Sequence, residues 1–88
     1  MIRFTVTEET ANDLIREMRD WFVANVGMMI SWQGKGQGPC GEKWLITYDF
    51  DKRTTWPRMS IIFEIFAEPE VEKKFQKEFM FRILELSS

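Results

Sequence analysis

The sequence has no histidine and a single cysteine, Cys40. One thiol excludes an internal disulfide. Without histidine, a structural zinc site of the usual Cys and His ligands cannot be assembled. The commonest general base of enzymes is missing as well, so Cys40 has no imidazole to activate it. No run approaches the roughly 18 apolar residues of a membrane span. The opening residues, MIRFTVTEE, hold no apolar signal core. Basic clusters are scarce too: residues 34–63 carry five basic groups against three acidic, while 1–33 and 64–88 are each net −2. That is short of the basic excess of a nucleic-acid footprint. We therefore expect a soluble cytoplasmic protein that is not an enzyme and holds no cofactor and no metal.

What is present points to one folded domain spanning residues 1–88. A chain of this length buries roughly 60–65% of the surface its unfolded form exposes. Its 44% hydrophobic content is ordinary for a globular protein. Four Trp and eight Phe are a heavy aromatic load. Large rings fill a small core efficiently and also anchor interfaces.

Ile2, Phe4 and Val6 alternate with Arg3, Thr5 and Thr7, which predicts a short strand with one buried face. Thr7 stands where an N-cap belongs, with Glu8 and Glu9 in the first turn. Ala11, Leu14, Ile15, Met18, Trp21, Phe22 and Val26 then follow helical spacing, and Gly27 ends the helix. Met28, Ile30 and Trp32 alternate as a strand, as do Trp44, Ile46, Tyr48 and Phe50. A symmetric hairpin would set Trp32 opposite Trp44, Ile30 opposite Ile46 and Met28 opposite Tyr48. Asp51 to Pro57 reads as a turn, and Met59 to Phe66 as a further strand. Pro69 opens a second helix. Its end, Phe79 to Leu86, also fits strand alternation, but its Glu, Met and Leu content favours helix. The order β-α-β-β-β-α predicts an α+β fold: an antiparallel sheet of three or four strands with two helices on one face.

Four of the five glycines lie between Gly34 and Gly41, flanked by Trp32 and Trp44. Gly36 to Gly41 matches GxGxxG literally, but the dinucleotide fingerprint needs a strand before it and a helix after it. Here a strand-like run follows and Pro39 interrupts the motif. A P-loop fails because Glu42 separates Gly41 from Lys43 and no Ser or Thr follows. The segment reads as a flexible hairpin connector, with Lys35, Gln37 and Lys43 as its contact groups. Asp49 with Asp51, and Glu68, Glu70 and Glu72, could hold a hard cation or work as acid and base. Solvated surface is the better reading of both sets.

The portion from residue 8 to 86, helix–three strands–helix, resembles the topology of double-stranded-RNA-binding domains. Lys73, Lys74 and Lys77 look similar to the lysine cluster that such domains present to phosphates. The resemblance implies RNA binding; a separate nucleic-acid route is base stacking on Trp32, Trp44 or Trp56 beside Lys35, Lys52, Arg53 and Arg58. Glu68, Glu70 and Glu72 crowd the same helix start and oppose it. A different feature carries more weight. If the alternating rows above face the helices, Met29, Leu45, Ile62 and Phe66 form an apolar stripe on the opposite sheet face. An open antiparallel face is normally polar, so the stripe marks an interface with a partner or a second copy, or is covered by the C-terminal segment. The expected function is therefore a non-enzymatic protein-binding module. It would be a small antagonist that sterically blocks a larger protein, in the manner of phage anti-defence or toxin-immunity proteins. Its acidic stretch, Glu64 to Glu72, could mimic nucleic-acid phosphate. Trp56, Ile62, Glu64, Phe66, Glu68 and Glu70 are the expected partner-binding residues, and nucleic-acid binding is the alternative.

Overall fold

The computed structural model describes residues 1–32 and 38–87. The alternating N-terminal run forms β1 (Ile2–Thr7) and passes directly into α1 (Glu8–Asn25). Two very short strands follow, β2 (Ser31–Trp32) and β3 (Pro39–Cys40), then β4 (Trp44–Phe50) and β5 (Ser60–Ala67). The chain closes with α2 (Pro69–Ser87), so the ambiguous C-terminal stretch is helix. All five strands join one antiparallel sheet in the order β1-β5-β4-β3-β2. This is the α+β class expected, with one strand more than the upper expectation.

Both helices lie on one face because the buried rows of the sheet share it. Ile2 and Val6 of β1, Ile61, Phe63 and Ile65 of β5, and Trp44 and Ile46 of β4 are buried with Leu14, Ile15, Met18 and Phe22 of α1. Phe75 and Ile83 join from α2. The centre of this core is a stack of rings. Trp44, Phe22, Phe75 and Phe79 lie nearly parallel in succession, with centroids 5.1, 5.3 and 4.7 Å apart. Trp21 meets Phe22, Phe75 and Phe79 edge-on, and its indole N–H donates to Glu78 at 2.6 Å. One stack thus ties sheet, α1 and α2 together. The radius of gyration of 12.5 Å is close to the roughly 12 Å of a single domain this long.

The expected hairpin between 28–32 and 44–48 does not form. Ser31 and Trp32 pair instead with Cys40 and Pro39, and Cys40 pairs with Leu45. Gly38 N–H donates to the Ile46 carbonyl at 2.7 Å, so residues 38–40 occupy the place beside β4. Of the alternating run 28–32 only Ser31 and Trp32 form strand, and the nearer segment captures the edge. Met28 and Ile30 are consequently exposed rather than core, and Trp32 is partly exposed. The end of the glycine segment is likewise packed. Pro39 is fully buried, and a Cβ on Gly38 would press on Ile15 and the Ile46 carbonyl at 3.0 Å. Lys35 and Gln37, expected as contact residues, lie outside the described residues.

Gly27 ends α1 as expected, with its N–H donating to the Phe22 carbonyl at 3.0 Å. Thr7 takes the N-cap position without capping the backbone. Its hydroxyl meets that of Thr10 at 3.1 Å, and Glu8 N–H donates to the Met59 carbonyl. β1 is paired on one side only, so it forms one edge of the sheet; β2, two residues long, forms the other.

Candidate functional site

Because both helices cover one sheet face, the other is left bare among the described residues. The register places its side chains in rows. Leu45 lies directly across from Phe66, with Cys40 and Ser31 continuing the row. Thr47, Glu64 and Arg3 form the next row, and Asp49, Ile62 and Thr5 the one after. Phe66 is 41% exposed, while Leu45 and Ile62 are half-buried. The stripe therefore exists as Leu45, Ile62 and Phe66. Met29, expected with them, sits in the coil before β2 and is not part of the sheet.

The stripe is set among polar groups with little internal pairing. The Thr47 hydroxyl donates to the Glu64 carbonyl oxygen at 3.3 Å. Asp49 accepts from the Phe50 N–H at 2.8 Å. Arg3 and Glu64 are register partners on one face but form no ion pair. Cys40 is engaged: its thiol and the Ser31 hydroxyl are 3.1 Å apart. That contact lies in the Ser31–Cys40–Leu45–Phe66 row of the sheet.

At the Leu45–Phe66 end the face dips into a shallow depression. It is lined by Cys40, Lys43, Leu45, Phe66 and Glu68 among others. The fold thus gathers Lys43, Phe66 and Glu68, which are far apart in sequence, around one feature. Ile62 and Glu64 continue from it along β5. Glu70 lies in the first turn of α2, exposed. Trp56 is 80% exposed, in the turn before β5 begins. It therefore lies beyond the start of β5, whereas Glu68 and Glu70 follow its end; the structure does not bring them into one cluster.

The turn that carries Trp56 is held by Asp51. Its carboxylate accepts from the Arg53 backbone N–H at 3.0 Å and from the Arg53 guanidinium at 3.0 and 3.1 Å. Those hydrogen bonds hold the Asp51 carboxyl below the usual carboxylate range, with the nearby Arg3 charge adding to the effect. The Asp51 carbonyl accepts from Thr54, whose hydroxyl in turn accepts the Ser60 N–H. Asp51 is thus a turn-closing residue, and Asp49 does not share its environment. Among the described residues no group of three or more Asp, Glu, Cys or His side chains could hold a metal ion.

Of the lysines at the start of α2, Lys74 donates to the Asn25 side chain at 2.9 Å and so faces α1. Lys73 and Lys77 are exposed. No protein-family model, curated protein or solved structure matches this chain. No helix among the described residues is long and apolar enough to cross a membrane.

Proposed function

We propose that the protein is a non-enzymatic protein-binding module that blocks a larger protein through the bare face of its sheet. One observation carries this reading. The C-terminal segment is a helix on the far side, so Leu45, Ile62 and Phe66 are left without intramolecular cover among the described residues. Phe66 is the anchor: a large ring, partly exposed, at the rim of a depression whose charged groups are Glu42, Lys43 and Glu68. Glu64 and Asp49 supply acidic flanks against one cation, Arg3. A flat antiparallel face with apolar anchors and a polar surround has the make-up of a protein interface. The acidic run from Glu64 to Glu72 suits a partner with a basic surface, a nuclease or another nucleic-acid enzyme being the natural case. Small antagonists of host-defence proteins and toxin-immunity proteins act by this kind of steric block. Trp56, in its separate turn, is a second contact at the far end of β5.

The test is affinity capture from lysate of the source cell or its host, with wild type and Phe66→Asp in parallel and nuclease treatment of both. The expected result is one protein retained in stoichiometric amount after nuclease, and lost with Phe66→Asp while the variant's circular dichroism is unchanged. Capture that disappears with nuclease would replace this reading with nucleic-acid binding. An unchanged capture by folded Phe66→Asp would move the interface off this face.

A further inference from the structure

The helix side of the sheet carries a second feature, independent of the bare face. Because β3 meets β4 only at Cys40 and Leu45, the outer half of β4 has no strand neighbour on that side among the described residues. Tyr48 and Phe50 project there on the helix face, Tyr48 tilted against Phe63 with ring centroids 6.3 Å apart. Trp32 stands beside them, and the first turns of α1 close the other wall with Glu8 and Asn12. The pocket is open on one side and holds about 150 Å³. A cavity of about that size accepts a benzene-sized guest.

Three things about this chamber are unusual together. Its wall is aromatic, and two of the rings, Trp32 and Phe50, are each 44% exposed instead of buried against the core. Its one ionised lining group is a carboxylate, Glu8. The polar ends of Glu8, Asn12, Trp32 and Tyr48 have no hydrogen-bond or ion-pair partner among the described residues. Glu9 and Asp13 lie on the same turns of α1, as does Arg16. Arg58 shares a separate depression with Glu8 and Glu9 but forms no ion pair with either.

We propose that this chamber binds a methylated ammonium group. The faces of aromatic rings attract cations, and the attraction strengthens when the cation is desolvated. A bare metal ion or a primary amine needs several oxygen acceptors, and the lining offers few. A trimethylammonium group needs none: its methyl surface meets the rings and the Ile15 and Ile61 side chains, while its charge faces Glu8. Such a group is carried by free choline-like amines and by trimethylated lysine side chains.

The experiment is a titration of the full chain, followed by amide and indole NMR shifts, with choline, its neutral carbon isostere 3,3-dimethylbutanol, and a short peptide bearing trimethyllysine. Choline should bind with millimolar affinity and shift Glu8, Trp32 and Tyr48. The isostere should bind about tenfold more weakly, because it fills the same volume without charge. Glu8→Gln should weaken choline about threefold and leave the isostere unchanged, and Trp32→Ala should abolish both with the fold intact. Tighter binding of the peptide would assign the guest to a partner's modified side chain; equal binding would assign it to a small amine. Equal affinity for choline and isostere, or shifts that avoid Glu8 and Trp32, would overturn the proposal.

Discussion

At the scale of single residues, Asp51 shows how a polar side chain earns burial. It is 6% exposed, yet its carboxylate satisfies three donors of Arg53 and its carbonyl holds Thr54. Its folded carboxyl titrates below the ordinary range. The stability it contributes is therefore fully present above that ordinary range, and is lost as pH falls through the lowered folded value. Asp51→Asn should melt below wild type at neutral pH, with the gap closing as both are acidified. A constant gap across pH would mean that hydrogen-bond geometry alone, and not charge, holds the turn. The sequence places Asp51 at the start of a turn, as found, but predicts solvated carboxylates for both Asp49 and Asp51, and the burial of Asp51 corrects that expectation. Strand alternation puts them on one face, but the chain turns at residue 51 and separates their surroundings. Phe66 was legible for the opposite reason: period-two alternation from Ile61 to Phe66 fixes its face wherever the helices pack.

At the scale of elements, the short strand β3 reverses the expectation for its stretch of sequence. Glycine density signals a loop, and it gives no warning that Gly38 and Pro39 will pack against the core. Gly41 is as constrained as its neighbours: a Cβ there would overlap the Trp44 indole, whose N–H donates to the Gly27 carbonyl at 3.1 Å. Gly41→Ala should destabilise the fold by about 1–3 kcal/mol, the usual cost of overpacking, measured by chemical denaturation. An unchanged midpoint would show that the Trp44 side chain can shift freely. The helices were easier to read. α1 and α2 begin at Glu8 and Pro69, as the capping and proline signals indicate, and only the end of α2, Phe79 to Leu86, also fits strand alternation. Short strands lack such redundancy, because two residues can satisfy almost any alternation. Their partners are chosen by contacts distant in sequence.

At the scale of the whole molecule, stability converges on the ring stack of Trp44, Phe22, Phe75 and Phe79. Phe22 sits in its middle, fully buried, and joins α1 to both the sheet and α2. Phe22→Ala should cost about 3–5 kcal/mol, a large part of the total for a domain of this size. The loss should appear as one cooperative transition, with the two helices and the sheet failing together. A variant in which α2 unfolds separately would show that the stack does not unite the molecule. The sequence revealed that aromatic residues would fill the core, since Phe22, Trp44 and Phe75 all fall on apolar faces. Their face-to-face succession depends on how the helices cross the sheet, and no local pattern encodes it.

The two borders of the sheet are unequal, and this limits how copies of the chain can join. β1 offers six residues of backbone with one side unpaired, while β2 offers two. A growing fibre of sheets needs two adhesive ends on every unit. Among the described residues β1 is the longest such edge, so two copies can meet along it about a two-fold axis, leaving only the shorter edges of β2 and the outer half of β4 for a third. Sedimentation at rising concentration should accordingly find no species along this route larger than a pair.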